Sequence, residues 1–321
     1  MAGVAVTLLL LGAIAVGSGV GIFMPTLDGV FSAAVDPTLL CMVFLLFFEV
    51  RLGAVAKGYA NWRFMTLAWG ANFVIVPMVG FAIASLFLSG QELLFTGLII
   101  YFISPCTDWF LGFTRLSIGS TALGAALIPV NMLTQLLLYP FWLWLFTRHT
   151  GLVDFAAIPS LLIQWFLVPF VLAQGLRFCL FKLLPSKAFE WILRAVAYGV
   201  PVVIAAVVLQ IFAVNIGEIV AHLGAFVSIL GAIFLFFVTT FIIGERLSRW
   251  ARLPYPQHAL LTMTTAARNA PLMLAVTAVA IPDQPLVLAA MVIGMLVEFP
   301  HLTALTQVLL RQRKRIAGLP A

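Results

Sequence analysis

"YFISPCTDWFLGF", residues 101–113, breaks an otherwise apolar run: a proline, a cysteine, two hydroxyl residues and an aspartate fall within positions 104–108. Whether this is a loop of a soluble domain or an interrupted membrane helix decides the fold, and composition settles the choice. The chain has 321 residues, 64% hydrophobic and 9% charged, with a mean hydropathy of +1.17. A soluble domain carries about 25% charged residues, and so few charges cannot cover an aqueous surface. The sequence is that of an all-α integral membrane protein whose apolar runs are each long enough to cross a bilayer as helices.

Working outward from residues 101–113, charged and Pro/Gly breaks delimit ten segments, at roughly 4–24, 37–56, 64–88, 93–114, 121–147, 156–181, 190–213, 219–244, 258–281 and 285–310. The basic residues test this count. With the N-terminus in the cytoplasm, 15 of the 17 lysines and arginines fall in cytoplasmic loops and span ends, and the outer loops hold only Arg148. That bias predicts a multi-pass protein of the cell membrane with both termini cytoplasmic. The net charge of +6 is thereby read as an orientation signal, and no nucleic-acid partner is implied.

Other motifs mostly exclude functions. The first apolar run lacks the basic flank of a secretory signal and is expected to remain as a span. "GSGVG" at 17–21 lacks the preceding strand of a nucleotide-binding loop, so close helix packing is its reading. Cys41, Cys106 and Cys179 are far apart and form no zinc spacing, so no metal site, disulfide framework or cofactor is expected. Cys41 and Cys179 are read as packing residues. No Walker motif and no catalytic constellation on one membrane face is present, which argues against an ATP-driven machine and against an enzyme.

Ten segments divide into two sets of five. "NMLTQ" at 131–135 and "GMLVE" at 294–298 align, setting Gln135 against Glu298 at an offset of 163. The same offset carries Cys106 onto Asn269, inside a second polar, proline-containing break, "TTAARNAPL". An odd number of spans per repeat forces the halves to insert in opposite senses. The expectation is two five-helix inverted repeats, residues 1–150 and 151–321, the second ending in a basic cytoplasmic tail. Broken helices 4 and 9 would then cross near the midplane.

Pro105 and Pro271 each free backbone groups, which lipid tolerates only where protein or a water-filled cavity satisfies them. Charges within spans mark solute or ion pathways, and three such residues stand here: Asp108, Arg268 and Glu298. Cys106, with Ser104, Thr107 and Asn269, forms the candidate solute site. A lone membrane cysteine commonly packs as a small apolar residue, but its thiolate is a soft ligand suited to a metalloid. Asp108 and Arg268 lie in the two breaks and are expected to pair, either as a pin for the crossing or with Arg268 standing permanently in a cation position. Glu298 is the candidate proton carrier, with His301 on the same helical face. Asn72, Asn131 and Gln135 are secondary polar members that serve interhelical hydrogen bonding or solute contact equally well.

"NFVIVP" at 72–77, "SPCTDW" at 104–109, "TAARNAPL" at 265–272 and "LVEFP" at 296–300 together resemble the arsenite (arsenical-resistance) permease branch of the bile acid/sodium symporter superfamily. The resemblance covers nearly the whole chain. It implies a panel of spans 1, 2, 6 and 7 beside a core of spans 3–5 and 8–10. It implies export of trivalent arsenite, and of antimonite in some members, in exchange for protons, with Cys106 and Glu298 at the matching cysteine and glutamate positions. The sequence departs from the common pattern in the ninth span. An Asn-Asn pair followed by an acid is replaced there by Arg268, Asn269, Ala270, Pro271 and Leu272, and the acid appears instead as Asp108. The competing expectation, from other branches of the superfamily, is a sodium-coupled symporter of a small organic anion. Arg268 would then bind the substrate carboxylate, and Thr107, Asp108, Asn269 and Gln135 would supply oxygen ligands for sodium.

Overall fold

The computed structural model describes residues 2–50, 61–107, 109–148, 160, 163–281 and 284–316. Among the described residues the chain is helical, with no strand. Helix α1 spans Ala2–Phe23, and a 3-10 turn at Pro25–Leu27 leads into α2, Asp28–Glu49. The next helix, α3, runs Trp62–Phe87 with a π-helical turn at Ala71–Ile75. It is followed by α4 (Glu92–Phe102), α5 (Trp109–Leu116) and α6 (Thr121–Thr147). A second π-helical turn at Ile163–Leu167 opens into α7, Val168–Leu183. The remaining helices are α8 (Ser186–Ala221), α9 (Leu223–Trp250), α10 (Tyr255–Ala266), α11 (Ala270–Ala280) and α12 (Pro285–Ile316).

Among the described residues, 7 helices are long and apolar enough to cross a membrane: α1, α2, α3, α6, α8, α9 and α12. Segments 93–114 and 258–281 are not continuous helices. The first is divided into α4 and α5, the second into α10 and α11. The physical cause is local: Pro105 and Pro271 lack an amide hydrogen, and Pro271 stands in the first turn of α11, where a proline opens a helix rather than continuing one. Segment 156–181 begins outside the described residues.

Packing sorts the helices into two groups. In one, α1 and α2 pack on α8, and α7 packs on α2; in the other, α4 packs on α12 and α3, and α9 packs on α3 and α10. Polar side chains of α7 bind the first group together. Gln174 Nε2 donates to the carbonyls of Phe47 (2.7 Å) and Val50 (3.1 Å), and Arg177 donates to that of Phe48. They bind carbonyls at the C-terminal end of α2, where helix carbonyls lack their full set of intrahelical partners. Large apolar side chains such as Leu8, Phe23, Phe181 and Phe234 face outward, as a lipid-facing surface requires. Cys41 and Cys179, read from the sequence as packing residues, are exposed on that surface. A small apolar thiol is as compatible with hydrocarbon as with a protein core.

The "GSGVG" stretch is the contact of α1 with α8. A Cβ on Gly17 would stand 2.4 Å from the Leu209 carbonyl oxygen, and one on Gly21 would stand 2.3 Å from that of Ala213. Both obstacles are backbone, so the helices would have to separate. Gly21→Ala is therefore expected to destabilise the protein by about 1–3 kcal/mol, read as a lower thermal midpoint in detergent. Gly19→Ala, with nothing within 4 Å of its Cβ, is the control. Equal midpoints for the two variants would refute this account of the α1–α8 contact.

Candidate functional site

The connections α4–α5 and α10–α11 meet each other. Pro105 bridges Arg268 in antiparallel sense. The Cys106 amide donates to the Ala267 carbonyl at 3.1 Å, and the Asn269 amide donates to the Ser104 carbonyl at 2.8 Å. Each break thus supplies the backbone partners the other lost. This mutual satisfaction lets non-helical chain persist in an apolar interior.

Arg268 organises this junction. Its side chain is fully buried, 0% exposed. Nη1 donates to the Phe102 carbonyl at 2.9 Å; Nη2 donates to the carbonyls of Thr264 (3.2 Å) and Thr265 (2.8 Å). Phe102 ends α4, and Thr264 and Thr265 lie in the last turn of α10. One guanidinium therefore caps two helix C-termini, where open carbonyls and the helix dipoles concentrate negative potential. The ring of Phe236 lies 5.6 Å from the guanidinium carbon and stacks on Phe102 at 4.0 Å, adding a cation–π contact on a desolvated charge.

Glu298, 1% exposed, joins from α12. Its Oε1 accepts from the Arg268 amide at 3.0 Å, and its Oε2 lies 3.1 Å from the Tyr101 hydroxyl. The same hydroxyl is 3.0 Å from the Gly294 carbonyl. The carboxyl is thus held by the backbone of one break and by the last turn of α4.

A polar cluster surrounds residues 104–107. Asn269 Nδ2 donates to Thr107 Oγ1 at 3.1 Å and to Gln135 Oε1 at 3.2 Å. Asn72 Nδ2 donates to Thr264 Oγ1 at 3.0 Å; Asn131 Nδ2 reaches the same oxygen and the Cys106 carbonyl, each at 3.5 Å. Asn72 Oδ1, Asn131 Oδ1, Asn269 Oδ1 and Gln135 Nε2 are buried and have no hydrogen-bond partner among the described residues. Buried polar atoms left open mark a place for water or a polar ligand.

A cavity of about 930 Å³ lies between the two helix groups, walled by α1, α2 and α8 on one side and by α5, α6 and α12 on the other. Its lining runs from Thr107 to Leu116 and Leu310, the chain neighbours of Arg115 and Arg311. Of the predicted solute residues only Thr107 reaches it. Cys106, Ser104, Asn269 and Glu298 lie buried behind. Trp109 packs edge-on against Phe299, centroids 5.0 Å apart, and both border the cavity.

Not every sequence expectation meets its partner here. Asp108 lies outside the described residues, so its pairing with Arg268 does too. The Ser104 hydroxyl donates within its own segment, to the Ile100 carbonyl at 2.7 Å, and serves to close α4. His301 stacks on Phe237, with centroids 4.0 Å apart and planes 4° apart. Sequence reasoning missed Tyr101 and Thr264. Tyr101 carried a signal: a phenol in the unbroken apolar run "LLFTGLIIYFI" requires a buried partner. Thr264 carried none beyond its closeness to the second break.

This geometry defines a class: a polytopic membrane protein with paired helix interruptions, a buried polar cluster and a vestibule leading to it. Residues 36–222 match the Sodium Bile acid symporter family, and the chain belongs to that family of membrane transporters. It is also 26% identical over 309 residues to the arsenical-resistance protein Acr3 of Corynebacterium glutamicum, a span covering 91% of this chain and 82% of that protein.

Proposed function

We propose that the protein is a secondary transporter exporting a trivalent metalloid, arsenite and by extension antimonite, in exchange for protons. The observation carrying this reading is the polar cluster with its three open acceptors, its open donor and the adjoining Cys106. Arsenious acid is neutral at physiological pH and presents hydroxyl groups around a soft centre. Amide oxygens suit the hydroxyls and a thiol suits the centre; no anion clamp is required. The likeness to an arsenical-resistance protein supports the same substrate class.

Arg268 supports proton rather than sodium coupling. The three carbonyls that converge on its guanidinium are ligands of the kind that hold a metal cation at helix C-termini, and here a fixed positive charge takes them. Glu298 remains as the exchangeable group. The ten-span reading supports this scheme, with α4–α5 and α10–α11 each counted as one broken span, residues 1–150 and 151–321 as inverted repeats and both termini cytoplasmic. Leu116 and Leu310, which line the cavity, adjoin Arg115 and Arg311 in sequence, and the positive-inside rule puts that end of the cavity on the cytoplasmic side.

Everted membrane vesicles carrying the protein are the test. They are expected to accumulate arsenite when an inward-acid pH gradient is imposed, equally with sodium or potassium salts. Accumulation that requires sodium and ignores the pH gradient would overturn the proposal in favour of sodium-coupled uptake of an organic anion. Cys106→Ser is expected to lower arsenite transport at least about tenfold, the scale of losing one soft ligand or its support. Parental transport in that variant would remove the thiol from the site.

A further inference from the structure

The Tyr101 hydroxyl has one hydrogen and two neighbours that can take it. It stands 3.0 Å from the Gly294 carbonyl oxygen and 3.1 Å from Glu298 Oε2. A carbonyl only accepts. A carboxylate only accepts as well, but a protonated carboxyl donates. The two states of Glu298 therefore require two orientations of the hydroxyl. With Glu298 protonated on Oε2, the carboxyl donates to Tyr101 and Tyr101 donates to Gly294. With Glu298 ionised, Tyr101 donates to Oε2, while the Arg268 amide serves Oε1 in both states.

We propose that Tyr101 is a positioning residue that makes Glu298 a reversible proton site, its hydroxyl turning between the Gly294 carbonyl and the Glu298 carboxylate as the proton leaves and returns. This rests on the reading of Glu298 as the proton carrier. In the exchange the O–H bond of the Glu298 carboxyl breaks and its proton passes to a water molecule. Tyr101 keeps its own hydrogen and only reorients.

The surroundings hold the phenol in that position. A Cβ on Gly294 would stand 2.8 Å from Cε1 and Cζ of the Tyr101 ring. One turn earlier, a Cβ on Gly97 would meet the Val287 carbonyl oxygen at 2.3 Å. Two glycines thus let α4 lie directly on α12, with the ring seated against bare backbone. Among the described residues, other charged or titratable groups near the carboxyl come from three elements. The connection between α10 and α11 contributes Arg268, and the α4–α5 connection contributes Cys106. From α12 itself there is His301, whose ring is taken up by Phe237 of α9. Without Tyr101 an ionised Glu298 loses this donor at Oε2. In the protonated state the variant loses one neutral hydrogen bond at the carboxyl, while the Gly294 carbonyl keeps its partner within α12. In the ionised state it loses a charge-assisted bond about twice as strong as a neutral one, so the loss falls more heavily on the ionised state.

The expected consequence is that Tyr101→Phe makes Glu298 hold its proton about tenfold more tightly, a rise of about one pH unit in its midpoint. The measurement is an infrared pH titration of the purified full chain in lipid nanodiscs. The carboxyl C=O band of Glu298 is identified as the one that Glu298→Gln removes. An unchanged or lowered midpoint in Tyr101→Phe would overturn the proposal, as would a Glu298 band that does not titrate. Should Tyr101→Phe not fold, the parent protein carrying ring-labelled tyrosine gives the answer. A tyrosine C–O band must shift with the same midpoint as the Glu298 band and must stay still in Glu298→Gln; a band that does not move refutes the reorientation. The titration needs no transport. A shifted midpoint combined with failure of a pH gradient to drive export would sink proton exchange while leaving Tyr101's role intact. Gradient-driven export with an unmoved midpoint would do the reverse.

Discussion

Arg268→Met is expected to be the most destabilising single substitution in this protein. The guanidinium supplies charge-assisted hydrogen bonds to three carbonyls at the C-terminal ends of α4 and α10. Each such bond contributes about 1.5–3 kcal/mol, and a buried acceptor left open costs its desolvation besides. Methionine fills much of the volume but donates nothing, so the loss is of the order of 5 kcal/mol. Glu298 would also lose the nearest positive charge. A buried charge is not stabilising in itself, because its own desolvation offsets much of the gain. Removing it while its acceptors remain is the costly case. Yield of monodisperse protein and thermal midpoint in detergent should both fall sharply. Arg268→Lys should recover only part, since an ammonium point charge lacks the planar fork that reaches both helix ends at once. A stable Arg268→Met protein with the parental midpoint would contradict this account.

The membrane class was legible because it depends on composition and run length alone. So were the positions where helical segments end near Pro105 and Pro271, since a missing amide hydrogen acts locally. The partners of Arg268 were not. The sequence directs the guanidinium to Asp108, the nearest carboxylate in the other break, and Asp108 is outside the described residues. The hydrogen bonds that Arg268 does make go to main-chain carbonyls, and every residue has one. No pattern of side chains could reveal which three are left open at a pair of helix ends. The cavity was illegible for a related reason. Its walls come from α1, α2 and α8 on one side and from α5, α6 and α12 on the other, and only tertiary packing brings these together. Thr107 alone faces the vestibule, with Cys106 buried behind it. Under the proposed function, the buried thiol meets a solute when the two helix groups move relative to one another, as in alternating access.

Glu298→Gln separates folding from coupling. Glutamine keeps the size of the side chain, and its carbonyl oxygen can still accept from the Arg268 amide as Oε1 does at 3.0 Å. Its amide nitrogen can donate to the Tyr101 hydroxyl, which then donates to Gly294. That is the hydrogen-bond pattern of a protonated Glu298, so the variant is a permanent mimic of the proton-loaded state. Its stability should lie within about 1 kcal/mol of the parent, the value of a single neutral hydrogen bond. Solute binding should survive, because no atom of the Asn72, Asn131, Gln135 and Asn269 cluster is touched. Export driven by a pH gradient should fall by roughly two orders of magnitude, the lower end of what a positioned proton-transfer group contributes. Glu298→Ala should differ in kind. It leaves the Arg268 amide without its acceptor and the guanidinium without its nearby carboxyl, and the protein should lose stability along with transport. The comparison is made on everted vesicles with an imposed pH gradient, alongside thermal midpoints of the same proteins. If Glu298→Gln still exports along the proton gradient at the parental rate, the proton travels elsewhere, and Glu298 is a structural carboxyl that ties α12 to the paired breaks.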